Sequence, residues 1–264
     1  MDRGCEMNKR RIGRALLCRI ARATAVALLL VAAPVVLPAQ SDDFGMWYTI
    51  SAEKKIDKKW SVGIDADFRT RNDAKTADRW TVGVGASYKI CKHLKASASY
   101  TLLVDNNAEK ITYNDDGAYN NWRPSYWGTR HSVTLSLIGS VDVGRFSFSL
   151  RERWQYIYRP ERTTDRFDFD NVWWEDTKVR GKGRNVLRSR LKVDYNIPKC
   201  KVDPYAAVEL FNSWKIDKTR YRVGVEWKVT KRHAFDLSYC YQDSSKSDDD
   251  IDIHYMCIGY KFKF

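Results

Sequence analysis

Past residue 37 the chain never strings together the roughly eighteen apolar residues that a helical membrane span requires. Its mean hydropathy is −0.55, too polar for a helical membrane protein. Histidine is scarce, four residues in 264. There is no Gly-rich phosphate loop and no cluster with metal-ligand spacing, so neither cofactor nor metal is expected. Cysteine is equally uninformative, with six in all. Cys5 and Cys18 lie near the N-terminus, and Cys91 and Cys200 fall in expected turns. Cys240 and Cys257 share an inward parity. Pairing their strands across the 242–250 segment places Cys240 opposite about residue 252, leaving Cys257 ~17 Å away, so no disulfide is expected.

The N-terminus has what an exported protein needs. Arg3, Lys9, Arg10, Arg11, Arg14, Arg19 and Arg22 precede an apolar run from Ala23 to Leu37, and Pro38-Ala39-Gln40 follows. A basic region, a short apolar region and a small residue before the cut describe a secretory signal peptide over residues 1–39. About twenty apolar residues would be needed to span a membrane as a helix; this run is shorter and carries Pro34. No cysteine stands at the cut, which excludes a lipoprotein. The mature domain is then residues 40–264. Cleavage removes seven of the 46 Lys/Arg and two of the 33 Asp/Glu, leaving 39 against 31 and a net charge of +8. For an exported chain that surplus speaks for lipopolysaccharide or acidic solutes and against nucleic acid.

The C-terminus identifies the architecture. Met256, Ile258, Tyr260, Phe262 and Phe264 share one parity, and Cys257, Gly259, Lys261 and Lys263 the other, giving one apolar and one polar strand face. Ending on an aromatic, the segment resembles the closing strand of a Gram-negative outer-membrane β-barrel, which the assembly machinery recognises. Similar alternation recurs upstream, as in Trp60, Val62, Ile64, Ala66 and Phe68, or Tyr221, Val223, Val225 and Trp227. Eleven candidate strands emerge, including residues 46–53 and 252–264. Trp and Tyr bound the apolar faces, as expected of aromatic girdles. Charged residues occupy the opposite faces mid-strand, where a β-sandwich core would not accept them.

The expected fold is therefore all-β: a monomeric, antiparallel, transmembrane up-and-down β-barrel of ten to twelve strands in the outer membrane. Single-chain bacterial barrels normally have even counts, so ten or twelve is favoured over eleven, with residues 40–45 threading the lumen or adding a strand, or with 46–53 misread. Short turns at Cys91–His93, 142–144, 196–201 and 231–233 should be periplasmic. Segments 70–77, 105–129, 159–183, 213–219 and 242–250 should be extracellular loops.

Asp42-Asp43-Phe44-Gly45-Met46-Trp47, Ala52-Glu53-Lys54-Lys55-Ile56, Ser87-Tyr88-Lys89-Ile90 and Arg151-Glu152-Arg153-Trp154-Gln155-Tyr156 together resemble the outer-membrane barrel family called domain of unknown function 2490. The resemblance extends over residues 42–264. It implies an outer-membrane barrel and brings no substrate.

Three functional readings follow. Inward parity gathers Asp65, Asp67, Arg69, Arg151, Arg153, Arg188, Arg190, Glu209, Arg222 and Glu226 in the lumen. Confined charges must pair, so the leading reading is a structural barrel plugged by an ionic network, with a carboxylate within salt-bridge distance of Arg190 or Arg188. The second is a narrow anion-preferring channel, since arginine outnumbers carboxylates. The third is a lipid-modifying enzyme with His254 as base and Asp252 as its orienter at the rim; His93 and His233 fall in turns, and His131 begins a strand beside Ser132. Trp122, Trp127, Trp173 and Trp174 are loop candidates for lipopolysaccharide or glycan headgroups, or else pack the loops on each other. Glu152 falls on the lipid-facing parity, which predicts a bulge there.

Overall fold

The computed structural model describes residues 42–244 and 251–264. The expected signal peptide lies outside them. Eleven strands close a barrel: β1 (Asp43–Lys55), β2 (Trp60–Arg71), β3 (Thr76–Lys89), β4 (Leu94–Asn107), β7 (Tyr126–Val143), β8 (Phe146–Arg159), β11 (Lys182–Tyr195), β12 (Val202–Asn212), β13 (Ile216–Lys228), β14 (His233–Ser244) and β15 (Ile253–Lys263). Four shorter strands, β5 (Lys110–Tyr113), β6 (Tyr119–Arg123), β9 (Arg162–Asp168) and β10 (Trp173–Val179), form a separate sheet.

Sequential neighbours in the barrel pair antiparallel, and the barrel closes on a parallel pair. β1 runs alongside β15 from Asp43↔Ile253 to Glu53↔Lys263. An up-and-down chain with an odd strand count must end in the direction it began, so its first and last strands meet in parallel. The favoured even count is thus corrected to eleven. Residues 43–55 form one continuous wall strand, so 43–45 neither thread the lumen nor make an extra strand.

The expected alternation is realised. Outward-facing Ile64, Leu135 and Leu150 are 59%, 50% and 52% exposed, whereas inward-facing Ser132 is fully buried. The molecule is apolar outside and polar within, the inverse of a water-soluble core. The C-terminus shares one end with the connections at 56–59, 90–93, 144–145, 196–201 and 229–232. The other end holds the long segments together with two tight turns, 72–75 and 213–215, so about half of each of the expected loops 70–77 and 213–219 is strand. Between β7 and β8 the chain reverses through Gly144, whose φ of +62° favours glycine.

Three expectations need correction. Both long loops contain structure: β4 runs on to Asn107 and β7 begins at Tyr126, with the β5–β6 hairpin between them. The β9–β10 hairpin fills the other, and β6 joins β9 through Asn121↔Asp168 and Trp122↔Phe167. Second, β8 carries no bulge at Glu152, which pairs in unbroken register with Leu137 and Ser189. Its carboxylate stays outward and accepts a 2.7 Å hydrogen bond from the Ser189 hydroxyl, which satisfies it without re-aiming the strand. Third, Cys240 stands opposite Tyr255, not residue 252, so Cys257 is only two positions along. The two free thiols share one buried cluster; the long β14–β15 connection had hidden the register.

Candidate functional site

The candidate site is the lumen. A cavity of about 570 Å³ is lined by all ten residues expected there, from Asp65 and Asp67 on β2 to Glu226 on β13. Strand alternation puts them inside, and room is made where backbone must yield. A Cβ on Gly83 would lie 2.8 Å from the carboxylate oxygens of Asp65 on the neighbouring strand.

Glu209 organises one wall. It accepts from Arg151 at 2.5 Å and from Arg188 at 3.0 Å. This is the salt bridge the sequence had called for, made by Arg188; among the described residues Arg190 has no carboxylate partner. Arg188 also donates to Gln155 at 3.1 Å, and Gln155 to the Ser132 hydroxyl at 2.8 Å. Arg153 donates to Ser136 at 3.1 Å. On the facing wall Thr49 donates to Asp67 at 2.6 Å, and Arg69 approaches Asp67 at 3.9 Å. Asp105 accepts from both Arg79 and Arg130. Lys261 bridges Glu226 at 3.6 Å.

Carboxylates are too few, and aromatic faces take up cations instead. The Arg69 guanidinium lies 3.6 Å from the Trp47 ring centroid, with Arg222 at 4.7 Å and Arg220 at 5.3 Å. Phe211 similarly receives Arg188 at 4.4 Å, Arg220 at 4.7 Å and Lys218 at 5.0 Å. Such contacts stabilise by about 0.5–2 kcal/mol each, depending on desolvation. They do not neutralise charge. The cavity wall carries ten arginines and three lysines against three aspartates and two glutamates.

Trp47, Phe211, Arg130, Arg184, Lys218, Asp236 and Lys261 also line this space but were not among the expected site residues. Parity held the signal for several: Phe211 alternates in step with Glu209, Lys218 with Arg220, and Arg130 with Ser132. Lys218 falls in the expected loop 213–219 and Arg130 between the expected loop 105–129 and the strand expected from His131, yet both lie within strands, β13 and β7.

At the rim, His254 and Asp252 are not brought together. His254 contacts Asp42 at 3.1 Å and also the Tyr239 hydroxyl. Asp252 accepts from the Tyr241 hydroxyl at 2.6 Å and from the Ser244 amide at 2.9 Å. Asp252 lies just before β15, and each side chain reaches a different tyrosine of β14. His131 bonds to the Tyr100 hydroxyl at 2.6 Å.

In the small sheet Trp122 and Trp174 meet at 5.5 Å between ring centroids, and Trp174 meets Phe167 at 5.4 Å. Trp173 points to the opposite face and is 60% exposed. Trp127 is on β7, where its carbonyl accepts from Arg162. The four tryptophans therefore do not form one site. At the β9–β10 turn, the Asn171 amide and side chain hold the Asp168 carboxyl below the usual carboxylate range.

Residues 44–252 match the family described as Protein of unknown function (DUF2490). The chain belongs to that family. The match bears out the resemblance carried by the mature N-terminal and mid-chain motifs. No curated protein matches this DUF2490 chain. Among solved structures it is similar to the translocator domain of autotransporter NalP from Neisseria meningitidis, with TM-score 0.54 and 11% identity over 93% of this chain and 95% of that one. It is also similar to the β domain of the Bordetella autotransporter BrkA, with TM-score 0.48 and 14% identity over 76% and 79% of the two chains. The first likeness establishes a shared fold of the outer-membrane barrel type.

Proposed function

We propose that this DUF2490 protein is a bacterial outer-membrane barrel whose lumen admits small anions. The supporting observation is the charge of the enclosed wall: thirteen cationic side chains line it against five carboxylates, and adding Asp105, Asp194 and Asp217, which pair with four of those cations from outside the lining, still leaves cations in excess. In a narrow lumen with low-dielectric walls, unbalanced cations lower the energy of an entering anion and raise that of a cation. Outward apolar faces and a fold shared with an autotransporter translocator domain support placement in that membrane.

A second reading, a sealed ionic wall, draws on a different observation. Arg222 on β13 lies 4.7 Å from the Trp47 ring of β1, although β14 and β15 stand between the two strands. Side chains that reach across the lumen in this way would narrow it. Planar-bilayer recording separates the two readings. The channel reading expects conductance whose reversal potential in a potassium chloride gradient follows chloride. A correctly folded barrel that stays electrically silent would favour the sealed wall, and cation preference would sink the channel reading outright.

A further inference from the structure

We infer that the lumen wall over Ala207 is a binding site for a multiply charged oxyanion of the phosphate or sulfate type, held between Arg151, Arg190 and Arg222. The inference rests on the anion-admitting reading and deepens it from a general preference to a discrete site.

Arg151 on β8 stands directly opposite Arg190 on β11. Arg190 stands opposite Glu209 on β12, and Ala207, the next inward residue of β12, stands opposite Arg222 on β13. Like charges placed directly opposite on paired strands repel. Arg190 senses Arg222 and Arg188 as well as Glu209. Within salt-bridge distance Glu209 alone serves this group, and it is already engaged by Arg151 and Arg188; Arg222 senses Asp236 only at longer range.

The donors are also incompletely used. The Nε–H groups of Arg151 and Arg190 are buried and have no hydrogen-bond partner among the described residues. A buried charged donor left unpaired is costly, and two on facing residues call for a shared acceptor. Arg222 has the Trp47 ring at 4.7 Å and the Cys240 thiol beside it, and no carboxylate within salt-bridge distance among the described residues. Ala207 supplies the space: its methyl is the smallest inward side chain between Tyr205 and Glu209 on β12. Lys192, opposite Ala207, is already tied to Asp194 at 2.5 Å. Guanidinium groups match oxyanions by paired N–H donors, and a tetrahedral anion offers enough oxygens to serve several at once. Chloride matches the charge but not this geometry.

The test is calorimetric titration of the full barrel, folded in detergent, with inorganic phosphate and with sodium sulfate at constant chloride. Saturable binding of one anion per barrel is expected. Arg190→Gln and Arg222→Gln should each weaken it by about tenfold or more, from the loss of charged hydrogen bonds. Arg162→Gln, in the small sheet, should leave it unchanged. Because removing an arginine here can perturb folding, Ala207→Asp provides a second arm: it places an internal carboxylate where the anion would sit. That variant should fold, resist heat at least as well as the parent, and lose phosphate binding. Absence of saturable binding to the folded parent overturns the site, as does full binding by Ala207→Asp. A barrel that conducts chloride yet shows no saturable phosphate binding would overturn the site and leave the channel reading intact. A barrel that binds phosphate without conducting would do the reverse.

Discussion

Single residues carry strain and solvation costs that are separable by substitution. The β2–β3 turn places Asn72, Asp73 and Ala74 in succession at φ of 54°, 54° and 64°. Asn and Asp tolerate this left-handed region; alanine does so only at a steric cost of about 1–2 kcal/mol. The Asp43 carboxylate holds the turn by accepting from the Asn72 amide at 2.9 Å and the Asp73 amide at 3.1 Å. Ala74→Gly should therefore stabilise the barrel by about 0.5–1 kcal/mol once glycine's greater unfolded-state freedom is subtracted. Guanidinium unfolding of the folded barrel in lipid reads this out as a raised midpoint with unchanged slope. Glu152 is the opposite case, an outward carboxylate in the middle of β8. At the centre of a bilayer a charged side chain costs a few kcal/mol, and the single Ser189 bond returns about 1.5. Glu152→Leu should stabilise the lipid-embedded barrel by about 1–2 kcal/mol by that difference. Measured loss of stability would mean that this patch is covered by something other than lipid.

At the scale of elements, the small sheet depends on a narrow joint. β6 meets β9 through two residue pairs, and the aromatic contacts of Trp122, Trp174 and Phe167 reinforce that joint. Each aromatic pair contributes about 0.5–1.5 kcal/mol beyond its buried area. Trp122→Ala should uncouple the two hairpins, so that protease cuts residues 105–129 and 159–183 faster while the barrel's unfolding midpoint stays put; unaltered cleavage would show the joint to be held elsewhere. This sheet was illegible in the sequence because its strands are four to seven residues long and pair between distant loops. The barrel strands were legible because one face meets apolar surroundings and the other does not, which writes a period of two into the sequence. The same period points all ten of the expected residues to the face that lines the cavity. It carried no information on which cation would meet Glu209, because partners across strands depend on register, and register is set by turn geometry. The misplaced Cys240 came from the same source: a long connection between β14 and β15 fixes no offset by itself.

For the whole molecule, the odd strand count decides where the chain begins. β15 ends with the C-terminus at the short-turn end, and β1 runs parallel to it from Asp43 beside Ile253. Residue 42 therefore lies at the long-loop end, near His254 and the β2–β3 turn. An even-stranded barrel would leave the start of its first strand at the short-turn end. If the short turns face the periplasm, the start of β1 faces the cell exterior together with the loops. An epitope placed immediately before Asp42 should thus be labelled on intact cells, as should one inserted in the 72–75 turn. One inserted in the 229–232 turn should be labelled only after the outer membrane is permeabilised. Labelling before Asp42 that requires permeabilisation, with the 72–75 epitope accessible on intact cells, would contradict the parallel seam and return the count to an even number. The parallel pair is also slightly weaker per residue than its antiparallel neighbours. The β1–β15 seam is thus the expected place for the barrel to open first.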